Sequence, residues 1–120
     1  MAKIRKTASI ENGIMQILKI LSEEEIQEAI VATREGGCKE LAILHCVSGY
    51  PAPAKDYNLR VIPDMIQRFG LVTGLSDHTI DNTTAITSVA LGVSIIEKHV
   101  TLDRNGDGPD DSFSLEFEEL

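Results

Sequence analysis

Positive charge is scarce in this chain of 120 residues: 11 lysines and arginines stand against 19 aspartates and glutamates, for a formal charge of -8. That deficit excludes nucleic acid, whose phosphates would be repelled rather than neutralised, and an anionic membrane surface. A small anionic substrate stays allowed, because a site's local field can oppose the global charge. Cysteine is scarce too. Cys38 and Cys46 lack the spacing of a zinc knuckle or a CxxC redox motif and read as idle thiols of a reducing cytoplasm. No apolar run approaches the roughly 20 residues needed to span a bilayer. The start, Met1 to Lys6, is basic like a signal peptide, but Glu11 and Asn12 interrupt the apolar region and no clean cleavage site follows. The chain is therefore expected to be cytoplasmic. It has no phosphate-cradling glycine loop, no nucleophile elbow, no evident internal repeat and no low-complexity linker.

What is present is the rhythm of a parallel α/β fold. Residues 1–13 are polar and patternless, and Ile14 to Leu21 is apolar but ambiguous between strand and helix. Ser22 with Glu25 forms a capping box, Glu23 and Glu24 suit the positive end of a helix dipole, and Ile26, Ala29, Ile30 and Thr33 carry the helical period to a stop at Gly36-Gly37. Leu41 to Val47 reads as a strand buried on both faces. Ser48 to Pro53 is a proline-broken loop. Leu59, Ile62, Met65, Ile66 and Phe69 predict a second helix ended by Gly70. A strand over 71–76, a helix capped by Asp81 or Asn82 and running to Gly92, and a strand over 93–99 follow. Ser114 to Glu119 looks like the first turn of another helix. Strands alternating with helices at this spacing predict parallel pairing with every helix on one side, as in a barrel wall. The length is about half of the roughly 250 residues of a (β/α)8 barrel.

Two histidine segments carry the chemistry. His78 closes Gly74-Leu75-Ser76-Asp77, and His99 closes Glu97-Lys98. Side chains two apart in a strand share a face, so Ser76 projects with His78 and Glu97 with His99, while Asp77 and Lys98 point away. Neighbouring parallel strand ends could bring both imidazoles to one ion at the C-terminal rim, where barrel enzymes place their sites. Imidazole suits zinc, manganese or iron, and added oxygen ligands would favour manganese. Two ordinary, hydrogen-bonded strand-end histidines give the same pattern. His45, mid-strand and out of phase with Cys46 and Ser48, is expected to face the helices as a satisfied core residue. Tyr50 lies on the rim loop, where it could pack on and hydrogen-bond a sugar, or simply plug a rigid loop. Asp103-Arg104-Asn105-Gly106-Asp107-Gly108 imitates a calcium loop, but the twelfth position is Ser114 rather than a glutamate, Pro109 follows the glycine and no helix precedes it. It reads instead as a loop able to bring Asp110 over a pocket, or as a solvated acidic turn.

Taken together, Leu44-His45-Cys46-Val47-Ser48, Tyr50-Pro51-Ala52-Pro53, Asn58-Leu59-Arg60, Gly74 to Thr79, Ala90-Leu91-Gly92, Glu97-Lys98-His99 and Gly108-Pro109-Asp110 resemble the sialic acid synthase family, which includes N-acetylneuraminate, legionaminate and pseudaminate synthases. The resemblance runs from about Ser22 to Glu119. It implies a (β/α)8 barrel, of which this chain would hold the last three to four βα units. It also implies a transferase that forms a carbon–carbon bond between phosphoenolpyruvate and an open-chain N-acetylated amino sugar such as N-acetylmannosamine. The products are a nine-carbon 2-keto acid and phosphate. By the same resemblance His78 and His99 would hold a divalent metal, typically manganese, Ser76 would contact phosphoenolpyruvate, and Tyr50 and Asp110 would contact the sugar. Ser48 stands where some members carry an asparagine near phosphoenolpyruvate. Glu97 would support the site from behind.

Departures from the pattern shape the remaining expectations. Residues 1–21 do not resemble the family and read as a divergent leader ahead of a partial barrel over 22–120. Asp111 replaces a histidine and Phe117 a proline. The earlier strands, which in the family supply lysines to the anionic substrate, have no counterpart, nor does the small C-terminal antifreeze-like domain. A gene fragment, a frameshifted start or a split protein would each produce this. The isolated chain is accordingly expected to be inactive, since stabilising phosphoenolpyruvate needs positive groups it does not supply. The competing expectation is a non-catalytic half-barrel, an assembly module or a remnant, whose edge strands pair with a second copy or a complementary half.

Overall fold

The computed structural model describes residues 12–18 and 21–120. Strand β1 (Asn12–Leu18) opens a repeating order of α1 (Glu23–Glu35), β2 (Glu40–Cys46), α2 (Val61–Phe69), β3 (Val72–Asp77), α3 (Thr83–Ala90) and β4 (Ile95–Lys98). The four strands pair in parallel in the order β1-β2-β3-β4. Each helix therefore joins sheet neighbours, the arrangement of a βα-repeat wall. The parallel α/β class expected from the spacing is the one observed.

Local signals explain most boundaries. The Ser22 hydroxyl accepts from the Glu25 amide at 3.2 Å and the Glu25 carboxylate accepts from the Ser22 amide at 2.8 Å, closing the capping box on α1. Such a cap contributes about 1 kcal/mol. Pro63 sits in the first turn of α2, where a missing N–H costs nothing. Gly70 ends α2 in the left-handed conformation at φ 59°, which glycine adopts without a Cβ clash. At α3 the two candidate caps divide the work. Asp81 accepts from the Thr83 amide at 2.7 Å, and Asn82, the cap by position, donates its side chain to the Glu119 carbonyl at 2.6 Å.

The core lies between the sheet and the helices. Ile43 joins Ile26, Ile30, Cys38, Leu41 and Met65 in one cluster, and Leu75 joins Ala52, Tyr57, Ile62 and Val93 in a second. Full burial of a side chain such as Ile43 or Leu75 stabilises by about 1.5–3 kcal/mol. β2 is buried from Leu41 to Cys46, as its unbroken apolar run requires. Arg68 ties α2 to α1 by bonding Asp64 at 2.8 Å and Glu23 at 2.7 Å, but all three side chains are about half exposed and such pairs contribute little.

Three expectations change. The ambiguous segment after residue 13 is strand rather than helix from Asn12 to Leu18, because pairing with Glu40–Cys46 supplies its backbone partners. β1 thus puts part of the expected leader inside the sheet; the rest of residues 1–11, and 19–20, lie outside the described residues. The last strand is shorter than 93–99, ending at Lys98. The helix expected from Ser114 does not form. A short strand β5 (Val100–Thr101) pairs in parallel with β6 (Leu115–Glu116), and only single 3-10 turns, Asp111–Phe113 and Phe117–Glu119, flank it. The Leu115 amide donates to the His99 carbonyl at 3.0 Å, a long-range bond that local propensity does not encode.

Candidate functional site

The site grows out of the register of β3 against β4. Ser76 lies opposite Glu97 and Asp77 opposite Lys98. Because faces alternate, the two pairs meet on opposite sides of the sheet. On one face the Ser76 hydroxyl donates to Glu97 Oε1 at 2.7 Å. On the other, Lys98 Nζ donates to Asp77 Oδ2 at 2.9 Å. One step further along, on the Ser76 face, stand His78 and His99, with ring centroids 5.3 Å apart. The grouping of Ser76, His78, Glu97 and His99 expected from alternation is present.

His78 is buried and held on every side. Its amide donates to the Tyr57 hydroxyl at 2.6 Å and its carbonyl accepts from the Ala52 amide at 2.9 Å. Its Nδ1 lies 2.8 Å from the Val47 carbonyl, an acceptor only, so that nitrogen carries the proton in the neutral ring. The lone pair is thereby placed on Nε2, which faces Ser76 Oγ at 3.3 Å. Burial pushes the imidazole below its ordinary pKa and the neighbouring His99 adds to this, while the Val47 carbonyl and the charges of Glu97 and Asp77 oppose it. Burial likewise pushes the Cys46 thiol up, with help from Glu97 and against the effect of the neighbouring Ser76 hydroxyl.

An aromatic rim surrounds the histidines. Tyr50 packs on His78 with centroids 4.3 Å apart and meets His99 edge-on at 5.7 Å. Phe113 closes the group at 5.4 Å from Tyr50 and 5.5 Å from His99. Asp110 Oδ2 stands 3.6 Å from His99 Nδ1. Tyr50 and Asp110 are both exposed, so each offers polar atoms to a ligand arriving from solvent. The loop over 102–114 reaches the rim as expected. Asp111 folds it, accepting from the Thr101 hydroxyl at 2.7 Å and the Gly108 amide at 2.8 Å.

Not every anticipated residue joins. Ser48 is exposed at the start of the loop after β2, and among the described residues no hydrogen bond links it to the cluster. His45 points to the helices, its Nε2 2.6 Å from the Tyr57 carbonyl, as its strand phase predicted. Sequence reasoning missed Tyr57, Phe113 and the Asp77–Lys98 pair. The two residues that "point away" from a site are easily dismissed, although opposite charges at matching offsets from two histidines were a usable signal. Among the described residues no group of three or more His, Cys, Asp or Glu side chains is placed to hold a metal ion. At this rim the described residues bring together the imidazoles of His78 and His99.

The sequence model of the NeuB family matches residues 1–120, including the stretch that reads as a divergent leader. The chain is 38% identical over 119 residues to the N,N'-diacetyllegionaminic acid synthase of Campylobacter jejuni, covering 98% of this chain and 36% of that protein. The crystal structure of the spore coat polysaccharide biosynthesis protein spsE from Bacillus subtilis matches with a TM-score of 0.82 at 40% identity, over 88% of this chain and 30% of that one. An N-acetylneuraminic acid synthetase from Leptospira borgpetersenii, solved with citrate, matches with a TM-score of 0.79 at 33% identity, over 89% and 38%. The chain thus spans about a third of the length of the relatives it matches.

Proposed function

Because this chain belongs to the NeuB family of sialic acid synthase-like biosynthetic enzymes, we propose that it carries the metal-binding rim of a synthase acting in the cytoplasm. The reaction would condense phosphoenolpyruvate, an open-chain N-acetylated amino sugar of the N-acetylmannosamine type and water into a nine-carbon 2-keto acid and phosphate, within surface polysaccharide biosynthesis. The observation that carries this reading is the meeting of His78 and His99 across neighbouring strand ends.

The donors suit a divalent ion. A metal–imidazole bond of about 2.1 Å plus the ring radius puts each centroid roughly 3 Å from a shared ion, so rings up to about 6 Å apart can share one. The separation of 5.3 Å lies inside that limit. The Val47 carbonyl fixes the His78 tautomer as outer partners of metal-bound imidazoles do. Burial keeps the ring neutral, hence a ligand. His78 and His99 would hold the ion, manganese by family resemblance, which would supply Lewis acidity at the sugar aldehyde. Glu97 holds the Ser76 proton and so orients its hydroxyl beside the histidines, where it would meet phosphoenolpyruvate. Tyr50 and Asp110 would receive the sugar from the open side, with Ser48 at the margin. Lys98 is committed to Asp77 on the opposite face, so the charge needed by the phosphate must come from elsewhere in a complete site.

Titration of the chelated protein with Mn2+, followed by electron paramagnetic resonance, tests this. One tight site in the parent, lost in His78→Ala and His99→Ala, is expected; equal binding by all three proteins would remove the metal reading. Phosphate release from phosphoenolpyruvate and N-acetylmannosamine, by this chain or after addition of a complementary barrel segment, tests the reaction.

A second reading has its own observation. β1 and β4 are the edges of the four-stranded sheet among the described residues, and open parallel edges are templates for pairing. A non-catalytic assembly module would self-associate through them. Light scattering that shows a monomer at all concentrations would count against it.

A further inference from the structure

We propose that the buried Asp77–Lys98 ion pair is the strut that sets the spacing of His78 and His99. This rests on reading the two histidines as one site. Each member of the pair immediately precedes a histidine, and the two are register partners across β3 and β4. The side chains are 0% and 6% exposed, so both charges are out of water. Lys98 Nζ donates three bonds: to Asp77 Oδ2 at 2.9 Å, to the Thr79 carbonyl at 2.8 Å and to Thr79 Oγ1 at 3.3 Å. The other Asp77 oxygen accepts from the Thr79 amide at 2.9 Å. One ammonium, carried by the residue before His99, therefore grips the residues on both sides of His78. The backbone has little freedom left to turn the His78 ring away.

A buried ion pair is a poor means of adding stability, since desolvating two charges offsets much of their attraction and apolar residues of similar size often do as well. What such a pair supplies instead is a fixed geometry. Apolar side chains here could hold the strands together, but would not direct three donor bonds onto the two residues flanking His78. The face used is the one opposite the imidazoles, so the strut occupies no space in the site.

The test uses the full chain, freed of metal with a chelator. In the parent, nuclear Overhauser contacts between the His78 and His99 ring protons and a single Nδ1–H tautomer of His78 are expected. In D77N/K98M, which removes both charges at nearly constant shape, the urea midpoint is expected to stay near that of the parent. The ring–ring contact is expected to fall several-fold and the His78 tautomers to mix. A parent without the ring–ring contact, or a double variant that keeps both signatures, overturns the proposal whatever the midpoint does. Should the double variant not fold, Asp77→Glu decides. It keeps both charges but lengthens one arm by a methylene, so a weakened ring–ring contact supports the strut and an unchanged one overturns it. Broadening of the two rings by Mn2+ alone is read separately on the parent. Its absence would remove the shared-ion reading and leave the strut to the contact measurements.

Discussion

The Tyr57 hydroxyl closes the end of β3: its oxygen accepts from the His78 amide at 2.6 Å and its proton goes to the Ser76 carbonyl at 3.2 Å. Tyr57 is fully buried and comes from the loop between β2 and α2. A single side chain thus finishes the backbone on both sides of Asp77. Burial also pushes its phenol far above the ordinary value, so it keeps its proton at any physiological pH.

Tyr57→Phe keeps the ring and deletes these two bonds. The buried His78 amide and Ser76 carbonyl would each lose a partner. A loss of about 1–3 kcal/mol in unfolding free energy is expected, the cost of leaving a buried polar group unsatisfied. Urea denaturation measures it, and amide exchange at His78 should quicken by a matching factor. An unchanged midpoint would show that water or a neighbour replaces the phenol.

Gly74→Ala should be costly for a different reason. A Cβ there would stand 2.6 Å from the Ile95 carbonyl oxygen and 2.9 Å from Ile95 Cβ, and would collide with Leu44 Cδ2. The oxygen belongs to β4 backbone and can yield only if the strands part. Overpacking of this kind costs about 1–3 kcal/mol. Thermal or urea unfolding of the variant measures it, and parental stability would show that β3 and β4 are less closely paired.

Stability should fall as pH falls below neutrality. The folded His78 has a depressed pKa, chiefly from burial, whereas the unfolded chain titrates it near about 6.5. In the window from about 6.5 down to the folded value the unfolded chain binds more protons, so acid favours unfolding, and the effect levels off below that value. One proton limits the slope to about 1.4 kcal/mol per pH unit. Ordinary carboxylates titrate near about 4, so urea midpoints between pH 7 and 5.5, taken with a chelator present, isolate the histidine contribution. His78→Asn should flatten the curve there. A parent curve already flat would mean that His78 is solvated.

Much of this site could be read from sequence because the rule involved is short-ranged. Alternation groups Ser76 with His78 and Glu97 with His99, and parallel pairing then places the two groups side by side. The capping box at Ser22 and the stop at Gly70 are local too, and both formed where the residues pointed. What escaped depends on distance along the chain. Tyr57 carries no local sign of its role, because its hydroxyl meets backbone 21 residues later, just past the end of β3. Phe113 carries no signal of its own, and only the folded loop brings it to His99. The tail misled because Ser114 resembles a helix start, while its buried hydroxyl in fact bonds the Asp110 carbonyl at 2.7 Å and the following residue pairs with β5. Ser48 owes its place in the expected site to the resemblance alone, since no strand alternation groups it with the histidines.

All four long strands run the same way, so Tyr50, Ser76, His78, His99 and Asp110 crowd one rim, while the turns at Gly37, Gly70 and Gly92 belong to the other. That polarity divides the described residues into an end that gathers rings and carboxylates and an end made of turns. Reporter peptides, fluorophores or surface anchors grafted at the glycine turns would leave the packing of Tyr50, His78 and His99 undisturbed, whereas insertions of the same size at Pro53 or Gly108 would fall on the segments that present Tyr50 and Asp110.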